Sequence, residues 1–203
     1  MFDSEELVAR CRQALSDPEP VLAVRDVVAR AVSGSQPLPE ALVASRGGPV
    51  TWVQSPELTV QAIVWPHGLV TPPHEHRMWA VVGVLNGRED HELWRKTRAG
   101  LERAGGRGVD AGDVILLGAD TVHAVSNPCS YPTVGVHVYG GDLENTPRRE
   151  WDFNGENEHL FDLAAVRRFI AAMGERAEAL GRELSPEEVR QACFELYGKV
   201  PVR

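Results

Sequence analysis

Gly68-Leu69-Val70-Thr71-Pro72-Pro73-His74-Glu75-His76-Arg77-Met78-Trp79-Ala80-Val81-Val82-Gly83-Val84-Leu85-Asn86-Gly87 is the stretch on which the fold turns. The two prolines impose an extended approach to His74, because a residue before proline is pushed out of the helical region. In an extended chain, residues two apart share a face, so His74 and His76 point together and Glu75 points away. Two imidazoles on one face form a chelating pair for a transition metal, although such a pair also occurs as ordinary surface histidines. Trp79 to Leu85 is apolar and rich in valine, which predicts a strand, and Asn86-Gly87 predicts a two-residue hairpin turn after it.

Outward from this stretch, the region from about Val50 to Tyr139 breaks into short β-rich runs separated by glycine and proline. Besides 79–85, strands are predicted over 50–54, 58–65, 89–96, 101–104, 113–117, 121–126 and 133–139. Eight short strands at this spacing imply a closed or double-sheet architecture, a jelly roll or small barrel. The flanks read differently. A helix begins at Ser4 with Glu5 and Glu6 in its first turn. A second carries Val21, Leu22, Val24, Val28 and Val32 at helical spacing up to Ser33-Gly34, and a short one is expected near 39–44. Helical patterns return over 158–180 and 186–197, the latter with Ser185 as its cap.

The 203 residues suit one domain: N-terminal helices over 1–45, a β-barrel core over 46–151 and a helical extension over 152–203. With 43% hydrophobic and 25% charged residues, disordered and collagen-like classes are excluded. The net charge of -8 and the lack of a concentrated basic face argue against a nucleic-acid partner. No apolar run approaches the ~18 residues of a membrane span. The acidic N-terminus gives no expectation of a secretory signal. Together with three scattered cysteines, Cys11, Cys129 and Cys193, it leads us to expect a cytoplasmic protein.

A third histidine strengthens the metal reading. It lies in Gly112-Asp113-Val114-Ile115-Leu116-Leu117-Gly118-Ala119-Asp120-Thr121-Val122-His123-Ala124-Val125-Ser126-Asn127, on the strand that returns after a buried one. Both stretches resemble the two motifs of the cupins. In the first, Gly68 is followed after five residues by His74-Glu75-His76, after three by Ala80 and after six by Gly87. In the second, Gly112 is followed after five residues by Gly118-Ala119-Asp120, after two by His123 and after three by Asn127. The spacing matches throughout. The departures are Ala80 where the family has Glu, Gly118 where it has Pro and Asp120 where it has Gly. The resemblance implies a mostly β, double-stranded β-helix (jelly-roll barrel) between N- and C-terminal helices, with His74, His76 and His123 as metal ligands.

Ala80 removes the family's fourth, acidic ligand. Three neutral imidazoles leave the full charge of a divalent ion uncancelled, which favours an anionic, chelating substrate. Three-histidine cupins of this kind resemble the thiol dioxygenases, the family of cysteine dioxygenase and 3-mercaptopropionate dioxygenase. Trp65 to Gly87 and Val136-His137-Val138-Tyr139-Gly140-Gly141-Asp142 look like its bacterial branch. That likeness covers roughly 50–151. It implies Fe(II) as cofactor, O2 and a small organosulfur compound as substrates, and a sulfinate as product.

It further implies a relay beside the iron. His137 and Tyr139 match the family's His and Tyr, while Gly135 occupies the position of its Ser. No cysteine lies in 78–82 to cross-link the tyrosine. The substrate's carboxylate calls for an arginine fork. Arg148 and Arg149 fit the bacterial branch's placement, and Arg46 is the candidate by analogy with cysteine dioxygenase. Gln54 lies near the branch's early-strand Gln but out of register. His67 and His91 read as surface or pocket-rim residues and His159 as part of the tail. Trp65, Trp79 and Trp94 read as core or pocket wall. The alternatives are a cupin dioxygenase or isomerase acting on a non-thiol substrate, and a metal- or ligand-sensing cupin without catalysis. A monomer or small homo-oligomer is expected.

Overall fold

The computed structural model describes residues 2–34, 37–43, 45 and 47–196, with Gly174 and Leu196 described by backbone alone. The expected helical end at Tyr197 therefore lies outside the described residues, as does Arg46. The elements in chain order are α1 (Ser4–Ala14), α2 (Pro20–Val32), α3 (Glu40–Val43), β1 (Gly48–Gln54), β2 (Thr59–Trp65), β3 (His74–Glu75), β4 (Ala80–Asn86), β5 (Arg88–Thr97), β6 (Gly100–Asp110), β7 (Val114–Leu117), β8 (Val122–Ser126), β9 (Thr133–Tyr139), β10 (Arg149–Trp151), β11 (Glu158–Leu160), α4 (Leu163–Leu180) and α5 (Pro186–Leu196). The strands form two antiparallel sheets. One has the order β1-β2-β9-β4-β7 and the other β11-β10-β3-β8-β5-β6. This is the mostly β double-stranded β-helix with helices at both ends.

The first sheet is covered on both faces, which explains its continuous apolar runs. One residue set of each strand faces the N-terminal helices: Val60, Val81, Val136 and Val138 pack with Leu7, Cys11, Val24, Val28 and Val32. Gly83 lets α2 approach, since a Cβ there would sit 2.6 Å from a Val28 methyl. The alternate set faces the barrel interior, where Ala80, Val82, Val84, Ile115, Leu117 and Tyr139 pack together. On β9, therefore, Gly135, His137 and Tyr139 are interior residues because Val134, Val136 and Val138 are claimed by the outer layer.

Asn86-Gly87 is not a hairpin turn. β4 pairs with β7 and β9 in one sheet, and β5 pairs with β6 and β8 in the other. The dipeptide is the corner where the chain changes sheets. Gly87 has φ +80°, and its missing side chain makes room for Thr133, whose Oγ1 would lie 2.4 Å from a Cβ. β6 runs on to Asp110, well past the expected end at Ala104. Its glycines read as loop, yet they pair with β5, and the Arg88 guanidinium covers Gly108. Residues 158–160 form a strand rather than the first turn of a helix, so the barrel reaches Leu160 and α4 starts at Leu163. α1 begins at Ser4 as expected and is capped by Asp3, which accepts from the Glu6 N–H at 2.9 Å. At α5, Ser185 and Glu188 make a reciprocal capping box, with the Glu188 N–H on Ser185 Oγ at 3.2 Å and the Ser185 N–H on Glu188 Oε2 at 2.7 Å. Among the described residues, no helix is long and apolar enough to cross a membrane.

Candidate metal centre

β3 and β8 pair with His74 directly opposite His123, and His76 follows β3 by one residue. One ring atom from each of the three histidines falls within a cluster no wider than 4.8 Å, and no carboxylate belongs to this group among the described residues. His76 Nε2 and His123 Nε2 lie 3.5 Å apart. Two nitrogens each about 2.1 Å from one ion sit roughly 3.0–3.4 Å apart, so the pair is close to chelating geometry as it stands. His74 faces Pro72 O with Nδ1 at 3.0 Å, which places its proton there and frees Nε2. Glu75 points away as alternation requires, and pairs with Lys96 at 2.6 Å.

The protonation states suit metal binding. Burial lowers the His74 pKa to about 4, with Arg148 adding to the effect and the Pro72 carbonyl opposing it. Burial also holds His76 and His123 well below the usual histidine value, with neighbouring positive groups reinforcing it. His76 and His123 are 5% and 1% exposed, while His74 keeps part of its surface open toward the cavity. All three are neutral near pH 7, the form that ligates. The donor set therefore fits a divalent transition metal. Ala80 is fully buried directly across from Tyr139 and adds no donor.

The trio opens on a cavity walled by Gln61, Ile63, Trp65, Leu69, Val125 and Leu143 and roofed by Phe161 and by Leu163, Val166, Phe169 and Ile170 at the start of α4. Arg148 also lines it. This arginine is buried, its guanidinium lies 3.9 Å above the Phe161 ring, and Nη1 donates to Leu143 O. Arg149 is turned to the outside, where it pairs with Glu158 at 3.4 Å. Strand alternation separates the two neighbours. Tyr139 is buried with its ring 4.9 Å from His76, and its hydroxyl meets His137 Nδ1 at 3.2 Å. Burial pushes its phenol upward in pKa, against the lowering influence of Arg148 and of a hydrogen bond with Gln61. The hydroxyl stays protonated.

Three residues of this region escaped the sequence reading. Gln61 stands opposite His137 on β2, and is the early-strand glutamine that reaches the cavity. Gln54 instead bonds Asp142 at 2.7 Å outside it. His91 is no rim residue. It is 1% exposed and stacks on His123 with ring centroids 5.2 Å apart and planes 7° from parallel. Glu89 is fully buried between His91 and His137. The signal was present in the alternation of β5: Arg88, Asp90 and Glu92 take one face, which sends Glu89 and His91 inward. His67 bonds Leu184 O and ties down the C-terminal segment, and His159, on β11, lies 3.3 Å from Glu150 on β10. Trp65 lines the cavity, while Trp79 fills the space beside Gly140. Cys11 and Cys193 are buried, and burial pushes their thiols up to about 12 and about 11.

No model of a known protein family matches the sequence. Among solved structures, the chain is similar to an RmlC-like cupin with a double-stranded β-helix from Methanocaldococcus jannaschii, at 12% identity and a TM-score of 0.43 over 56% of this chain and 94% of that one. It is similar to a double-stranded β-helix protein from Klebsiella pneumoniae at 17% identity and a TM-score of 0.42, over 56% and 84%. It is also similar to the DMSP lyase DddQ from Ruegeria pomeroyi at 21% identity and a TM-score of 0.41, over 68% and 74%. At such identities and TM-scores no activity passes across the likeness.

Proposed function

We propose that the protein is a non-haem Fe(II) thiol dioxygenase that converts a small thiol acid, R–SH, with O2 into the sulfinic acid R–SO2H. The observation that carries this reading is the donor set: three buried, neutral imidazoles without a carboxylate among the described residues, in a cavity that the buried Arg148 also lines. Ferrous iron would be held by His74, His76 and His123 and would supply the affinity for a thiolate and the means to activate O2. Both oxygen atoms end on sulfur, so no external reductant enters the balance.

The chain's own groups have separate tasks. Arg148, buried in the cavity wall, holds the substrate's carboxylate, and Phe161 keeps the guanidinium plane in place. Tyr139, kept protonated by burial, lines the space before the three histidines with its hydroxyl oxygen, a hydrogen-bond acceptor there. His137 and Gln61 hold its hydroxyl. Trp65, Leu69, Val125 and the α4 residues exclude water. Among the described residues Glu144 is the one acidic side chain of the lining, and it is exposed at the edge, within 3.9 Å of Arg167. Among the described residues the cavity thus offers no buried carboxylate to an ammonium group, which favours a mercapto acid over an amino acid. Within the same proposal, the protein works in the cytoplasm as a monomer or small homo-oligomer, with neither nucleic acid nor membrane as partner.

The test is metal analysis followed by a thiol panel in an oxygen electrode, with sulfinate identified by mass. Uptake of one O2 per sulfinate formed, with Fe(II) and a mercapto acid, is expected. Stable metal binding without oxygen uptake from any thiol would discard the dioxygenase reading in favour of a non-thiol cupin.

A further inference from the structure

We propose that Glu89 is a positioning residue that sets ring tautomers on both sides of the metal centre: through His91 it presents His123 Nε2 as a lone pair, and through His137 it orders the hydroxyl proton of Tyr139. Glu89 Oε2 lies 3.4 Å from His91 Nε2, and His91 Nδ1 lies 3.0 Å from His123 Nδ1. Glu89 Oε1 lies 3.4 Å from His137 Nε2, and His137 Nδ1 lies 3.2 Å from the Tyr139 hydroxyl. The contact from Oε2 to His91 Nε2 is misaligned for a hydrogen bond. Both atoms are nevertheless buried without another partner, so a small rotation that joins them satisfies two orphaned polar groups at once.

The tautomers follow in sequence. A neutral imidazole carries one N–H. His123 can offer Nε2 to an ion only with its proton on Nδ1. That proton then points at His91 Nδ1, which must be a lone pair, so the His91 proton sits on Nε2 and faces the carboxylate. On the other branch an ionised carboxylate only accepts, so His137 carries its proton on Nε2 and receives the Tyr139 O–H at Nδ1. Burial opposes the charge on Glu89, but the hydrogen bonds that His137 and His91 offer it prevail and bring its pKa to about 2. Gly135 makes this arrangement possible. A Cβ there would sit 2.1 Å from Glu89 Oε1 and 3.0 Å from His137 Nε2. The carboxylate occupies the space that any side chain at 135 would take, so the missing serine of the relay is replaced from a different strand.

The inference rests on the trio as a metal site and not on thiol chemistry, and its test keeps the two apart. Histidine-15N NMR of the protein, metal-free and loaded with Zn(II), reads tautomers directly. His91 and His137 are expected protonated on Nε2, and His123 on Nδ1. In Glu89→Gln an amide can accept from one ring but must donate toward the other. One of the two rings should change tautomer, and Co(II) affinity should fall ten- to a hundredfold. A wild-type protein that binds Co(II) but carries the His91 proton on Nδ1 overturns the proposal, whether or not Glu89→Gln folds. So does a folded Glu89→Gln with unchanged tautomers and affinity within twofold. Wild-type protein that takes up neither Co(II) nor Zn(II) rejects the metal site itself. Metal binding with the expected tautomers but no thiol oxidation leaves Glu89 in its place and rejects only the dioxygenase.

Discussion

Arg148 and Arg149 are chemically identical neighbours, and one half-turn of a strand gives them opposite surroundings. Arg148 reaches the cavity and Arg149 an exposed ion pair. Arg148→Lys keeps the charge but loses the planar fork, so KM for a mercapto acid should rise about tenfold, equivalent to roughly 1.4 kcal/mol. Arg149→Lys should change KM less than about twofold, since exposed pairs contribute little. Steady-state oxygen uptake with both variants checks this. His123→Ala should abolish iron loading, measured by metal analysis of the folded protein, because two imidazoles would then remain. Full iron content in that variant would remove His123 from the ligand set. At this scale the sequence was most informative for the histidine trio, to which the resemblance to the cupin motifs points without any coordinates. It was least informative for Glu89 and His91. Buried Glu is rare unless paired, and the partners lie 48 and 2 residues away along the chain.

β4 and β5 show what a local turn signal cannot say. Asn86-Gly87 predicts a reversal, and the chain does change direction there, but into the opposite sheet. A tight turn specifies backbone angles, whereas the choice of partner strand depends on which faces need cover. Gly87→Ala adds a methyl group 2.4 Å from Thr133 Oγ1 at φ +80°. The variant should lose roughly 2 kcal/mol, visible as a lower urea midpoint at unchanged slope. α4 roofs the cavity, and its start depends on Asp162, whose Oδ1 accepts from the Ala164 N–H at 2.8 Å. Asp162→Ala should cost about 1 kcal/mol in stability. Because the first turn of α4 carries Leu163 and Val166, it should also raise KM more than it lowers kcat. The strand at 158–160 had no such local mark. Three residues form it only because β10 offers an edge to pair with.

For the molecule as a whole, the buried histidines link stability to pH. The unfolded chain takes up protons near pH 6.5, while folded His74 does so only near 4 and His76 and His123 lower than their usual value. Between these limits the unfolded state binds more protons. The metal-free protein should therefore lose stability as pH falls from 6.5 toward 4, by up to about 1.4 kcal/mol per pH unit for each histidine, and regain it above 6.5. Urea midpoints at pH 7 and 5 measure this, and equal midpoints would mean that the trio is not buried and neutral. Residue periodicity alone predicted the β-rich centre and its helical flanks, and the resemblance of two stretches to the cupin motifs pointed to the three imidazoles, because extended backbone and motif intervals are local properties written along the chain. Which arginine enters the cavity, which glutamine stands beside Tyr139, and that a carboxylate from β5 fills the space left by Gly135 emerged only from the folded chain. Those facts depend on strand register and on two sheets closing face to face, and no interval along the sequence encodes either.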